Sequence, residues 1–174
     1  MKNLIKLIII SSFFFITYSP SFSEVPYFVD FKYILNQSNA GKDAQNFLKK
    51  KLDNGIKNIQ KKEKTIQEEE RKLIQKKKVI SAEEYKSQVK ELRKKVNSLQ
   101  KERNTLLESV AKQRSTARNE LLKNLNPIIS DYMKEKKIRM VVDKKSILLA
   151  DENLDLTKEI TDLLNKKLKK IKLN

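Results

Sequence analysis

Within residues 71–79 stand Arg71, Lys72, Lys76, Lys77 and Lys78, with Ile74 and Val79 among them. Fixed cations beside aliphatic side chains attract acidic partners over long range and add weak apolar contact at short range. That is recruitment chemistry rather than bond-making chemistry, and the rest of the sequence agrees. The chain has no His and no Cys, so it lacks the usual acid–base, thiol and zinc-ligating groups. Its two Gly cannot form a glycine-rich phosphate loop, and no cofactor or metal set is implied. Asp30 and Asp143 are the carboxylates at expected strand ends that could converge, but turn and cap hydrogen bonds explain them more simply. Ser81 near lysines could be drawn as a dyad, yet it already fits a helix cap. The expectation is a binding protein, not an enzyme, with a diffuse partner-binding site at Arg71, Lys72, Ile74, Lys76, Lys77, Lys78 and Val79.

Those residues need something to hold them out in solvent. One heptad pattern, broken once near Val79, runs over residues 44–133. Its second half is the stronger. Tyr85, Val89, Leu92, Val96, Leu99, Arg103, Leu106, Val110, Gln113 and Ala117 alternate steps of four and three, the spacing of a coiled-coil seam. In the first half Leu52, Ile59, Ile66 and Leu73 recur every seven residues, but the companion positions hold Gly55, Lys62 and Glu69. Alone this helix would be a poor coiled-coil strand.

Folding the chain back near Val79 lets the strong half cover the weak one. Leu73 then faces Tyr85, Ile66 faces Leu92, Ile59 faces Leu99 and Leu52 faces Leu106, each pair of numbers summing to 158. A parallel dimer of unbroken helices would instead set Lys62 and Glu69 against their own copies. The turn agrees: Ser81 and Glu84 read as a capping box, with Ile80 and Tyr85 at the staple positions.

The base from which the hairpin would grow is thin. Residues 25–31 are aromatic and β-branched, with Pro26 near the start, and residues 138–142 and 146–150 read as a β-hairpin. Asp155 and Thr157 suggest the start of a closing amphipathic helix with Leu156, Ile160, Leu163, Leu164 and Leu168. Pro127 should kink or restart the helix before it. Three strands leave two open edges, so oligomerisation through the base is the physical expectation.

The first residues set the compartment. Lys2 and Lys6 precede an apolar stretch over residues 7–16, and small residues at 21 and 23 suit a signal peptidase that cuts after Ser23. The stretch is shorter than the about 20 residues a membrane span needs, which favours a cleaved leader over the alternative of an uncleaved membrane anchor. An exported chain without cysteine cannot use disulfides and must rely on packing or assembly. The formal charge of +17 becomes +15 without the two leader lysines. Over residues 43–123 there are 23 Lys and Arg against 12 Asp and Glu. Along the shaft these read as a solvated coiled-coil face, leaving the tip as the candidate site. Nucleic acid is not the expected partner: export argues against it, and the hairpin lacks aromatic residues spaced for base stacking.

In order and spacing, the leader, the opening strand at residues 27–30, Ile34 and Leu35, the charged hairpin, residues 125–128 (Leu-Asn-Pro-Ile), Val141, Val142 and Asp143, and the closing run of Asp155, Leu156, Thr157, Lys158, Glu159 and Ile160 resemble the Skp (OmpH-like) periplasmic chaperones of Gram-negative bacteria. The resemblance covers essentially the whole mature chain. It implies a predominantly helical α+β fold: a long antiparallel coiled-coil hairpin, or tentacle, projecting from a small β-sheet body that forms a homotrimer. The division would be residues 1–23 leader, 24–42 first part of the body, 43–123 tentacle with its turn near 79–81, and 124–174 the rest of the body with its C-terminal helix. It also implies ATP-independent holding of unfolded outer-membrane proteins between the tentacles, in the periplasm. A lipopolysaccharide contact is proposed for some members, and no residue here is assigned to it. The rival reading is an exported basic spacer that binds anionic lipid surfaces, worth roughly 1 kcal/mol per lysine.

Overall fold

A computed structural model of the chain describes residues 25–173. The expected leader and its cleavage point at Ser23 lie outside them. In chain order come strand β1 (Tyr27–Val29), helix α1 (Phe31–Gln37), helix α2 (Asn39–Lys76), helix α3 (Ala82–Lys136), strand β2 (Val141–Asp143), 3-10 turns at Lys144–Ser146 and Glu152–Leu154, and helix α4 (Thr157–Lys167). No helix among the described residues is long and apolar enough to cross a membrane.

The helices dominate and the sheet is small, as expected, but the sheet is built differently. β1 and β2 pair in parallel, with Tyr27 opposite Val141, Phe28 opposite Val142 and Val29 opposite Asp143. Parallel strands need a long crossover, and here the helical hairpin supplies it. On its other edge β1 meets the chain again, through a bridge between Phe28 and Asp155 and a bond from the Leu156 N–H to the Phe28 carbonyl at 2.9 Å.

The third expected strand, at residues 146–150, is absent. Asp143 ends β2 by accepting from the Lys145 N–H at 3.2 Å, which turns the chain into a 3-10 turn instead of back along the strand. Leu148 and Leu149 are left 96% and 90% exposed. The first strand is also shorter than its composition suggests. Asp30 accepts from the Tyr33 N–H at 2.7 Å and starts α1 at Phe31.

One core holds the base together. Val29, Ile34, Ala40, Leu121, Leu125, Ile128, Ile129, Leu156, Ile160 and Leu164 are buried against one another. At the root of the hairpin, Ser38 ends α1 and begins α2: its N–H donates to Ile34 and its hydroxyl accepts from the Gly41 N–H at 3.2 Å. Gly41 is required there, because a Cβ would lie 2.1 Å from the Leu35 carbonyl oxygen. Helix α3 runs through Pro127 without a restart. It ends at Lys137, a non-glycine residue in the left-handed region (φ 57°), after which the Ile138 N–H donates to the Met133 carbonyl at 2.8 Å.

Candidate functional site

Helices α2 and α3 pack antiparallel along the heptad seam. Ile59, Leu73, Val110, Gln113 and Ala117 are buried, and Leu52, Ile66, Tyr85, Val89, Leu92, Leu99 and Leu106 are half-buried. The positions that interrupt the pattern carry polar ties. Lys62 pairs with Glu102 at 2.7 Å, Glu69 with Lys95 at 2.6 Å and Arg103 with Glu63 at 2.6 Å. The Lys51 ammonium donates to Ser109 at 3.0 Å and to Gln113 at 2.9 Å. The weak half-seam is thus completed by ion pairs rather than by apolar layers.

These ties correct the expected register. Leu106 packs onto Gly55, where a Cβ would come within 2.4 Å of its Cδ2 atom, three residues further along α2 than the Leu52 that the constant sum of 158 assigned to it. Cβ atoms tilt toward the N-terminus of their own helix, so in an antiparallel pair the side chains that meet lie C-terminal to the residues whose Cα atoms are level. A sum measured from the turn therefore underestimates the contacting numbers.

The hairpin places the five tip cations about 48 Å or more from its root, near the end of α2, whose 38 residues rise about 1.5 Å each. Arg71, Lys72, Lys76, Lys77 and Lys78 are all exposed, as are Ile74 (60%) and Val79 (80%). Leu73 is buried in the seam and Ile80 is half-buried. Among the described residues none of the five forms an ion pair, whereas the shaft below is tied by several. Lys77 lies 5.7 Å from the Tyr85 ring centroid, a cation–π distance. The Ser81 hydroxyl accepts from the Glu84 N–H at 3.1 Å, which occupies the serine that a dyad would need. Only that half of the capping box forms; the Glu84 carboxylate instead accepts from the Gln88 amide at 3.0 Å. The structure places all seven candidate residues at the hairpin end. The sequence reading missed the interhelical ion pairs, whose signal was the charged residues at seam positions 62, 69 and 103.

Asp30 and Asp143 do not form a site. Each caps the turn that follows it, and the Asp30 N–H donates to the Thr157 hydroxyl at 2.8 Å. Asp155 is the more constrained carboxylate. Burial pushes it up, but hydrogen bonds from the Thr157 hydroxyl, the Thr157 N–H and Lys144 outweigh that and hold it below the usual carboxylate range. Lys144, raised by the Asp155 hydrogen bond, also lies 5.6 Å from the Phe28 ring centroid. This knot joins β1, β2 and the start of α4. Its work is structural.

The model of the OmpH-like outer membrane protein family matches residues 27–164, most of the chain. The chain belongs to the OmpH-like family. This is a family of chaperones, not of enzymes. Among solved structures, an OmpH-like protein from Caulobacter crescentus CB15, assigned as an outer membrane chaperone, superposes with a TM-score of 0.81. It is 20% identical, and the match covers 91% of this chain and 93% of that one. At that identity the likeness establishes the fold. No curated protein matches the chain by sequence.

Proposed function

We infer that this OmpH-like protein is an ATP-independent holdase of the Gram-negative periplasm. It holds unfolded outer-membrane proteins between basic tentacles and keeps them from aggregating. The observation that carries this reading is the contrast along the hairpin. Three shaft cations, Lys62, Lys95 and Arg103, are tied to carboxylates across the helices, while among the described residues none of the five at the tip forms an ion pair, and these sit beside exposed Ile74 and Val79. Unpaired cations at the end of a long arm reach an acidic chain early, and weak apolar contacts then hold it without fixing a fold. Three copies joined by their bases would surround the client. The nearly bare Leu148 and Leu149 and the short two-stranded sheet support such joining, since a lone chain leaves this apolar surface in water.

The test is light scattering of a urea-unfolded β-barrel protein diluted into buffer. Stoichiometric amounts of the mature chain should suppress its aggregation without ATP. Aggregation that proceeds unchanged would remove the holdase reading.

A further inference from the structure

The hairpin has two flanks of different chemistry. The Lys62–Glu102 and Glu69–Lys95 pairs and the Lys51 ammonium on Ser109 straddle one of them. At heptad spacing these positions fall to the same side of the seam. On the opposite side the cross-hairpin tie is Arg103 to Glu63. Ile56 stands seven residues before Glu63, and Leu107 stands four after Arg103, so both belong to this second flank. The Gly55–Leu106 contact places Ile56 and Leu107 within about one helical turn of each other along the hairpin. They are 40% and 53% exposed. At neighbouring helical phases the same flank presents Gln60 from α2 and Asn97, Gln100 and Asn104 from α3, all exposed.

In a chain with 35% charged residues, the named positions hold amides and aliphatic groups besides the Arg103–Glu63 pair, whose charges neutralise each other, and Lys57 and Lys64 border the strip beside Gln60. We propose that the strip is the track on which the shaft holds extended segments of an unfolded polypeptide, gripping them by their backbone. The proposal rests on the holdase reading and assigns the contact surface within it. A carboxamide offers the same donor and acceptor as a peptide group, so it can pair with main-chain N–H and C=O groups whatever the client's sequence. Lysine or glutamate in the same places would select clients by charge. Ile56 and Leu107 add apolar contact to the track. The Gln100 amide donates to Asn104 at 3.3 Å, a long bond that a client peptide group can displace at little loss. From Ile56 to the exposed Gln67, one heptad beyond Gln60, the strip extends about 16 Å, which accommodates roughly five residues of extended chain at about 3.3 Å each.

Division of labour follows: the basic tip recruits and the neutral strip retains. The test places the photo-crosslinker benzoylphenylalanine at Gln60 or Gln100 on the strip, and at Asn58 or Ser98 on the ion-paired flank, in the full mature chain. The probe is a urea-unfolded bacterial β-barrel protein. Crosslinking should be several-fold higher from positions 60 and 100. A second measurement uses the Ile56→Ser, Leu107→Ser double variant, whose changes are on the surface and should leave helicity intact. Client dissociation should be about tenfold faster. Equal labelling of both flanks, or an unchanged dissociation rate, with aggregation still suppressed, would overturn the strip alone. A parent chain that suppresses no aggregation would overturn the holdase reading beneath it.

Discussion

Asp155 receives three donors in the base and has a carboxyl held below the usual range by them. A depressed carboxylate stabilises the fold at pH above its unfolded value and loses that contribution as pH falls through the folded one. The base should therefore weaken below about pH 4. Replacing Asp155 with Ala should cost about 2 kcal/mol at neutral pH and flatten the acid limb of the stability curve, read by urea melts across pH. A second residue-scale contrast concerns the two glycines. Ala at either gains about 1 kcal/mol of helix propensity. At Gly41 the new Cβ meets a backbone carbonyl at 2.1 Å, which cannot move cheaply, whereas at Gly55 it meets the movable end of Leu106. Gly41→Ala should destabilise by about 2 kcal/mol or more, and Gly55→Ala by less than about 1 kcal/mol. Thermal melts of the two variants check that order.

The hairpin was legible at the scale of elements because a seven-residue repeat and a Ser81 cap persist over many turns, so each local error averages out. The tip followed from it, since the break near Val79 fixes which cations lie at the end. Register was not legible from number sums, because the tilt of side chains toward each helix N-terminus shifts the contacting pairs. Cysteines at 55 and 106 should therefore crosslink faster within one chain than cysteines at 52 and 106, measured by mobility after mild oxidation. The base sheet escaped for another reason. Strands of three residues carry too little alternation to declare a partner, and residues 146–150 have strand composition without a strand beside them in one chain. Asp143 capping the turn decided their path locally.

On the scale of the whole molecule, a formal charge of +17 acts at long range, while the strip and the tip aliphatics act only on contact. Raising salt shortens the Debye length from about 8 Å at 0.15 M to about 3 Å at 1 M, so it should slow client association and leave dissociation nearly unchanged. Reversing Lys76, Lys77 and Lys78 to Glu should mimic high salt for an acidic client in stopped-flow capture, because it replaces unpaired cations with anions at the proposed site of first encounter. Capture as fast as by the parent at low salt would deny the tip its role.

The measurement closest to the central claim is the mass in solution of the mature chain, alone and after addition of one urea-unfolded β-barrel protein. The account predicts a trimer alone and that same trimer carrying a single client. A monomer whose mass does not change when the client is added would contradict it.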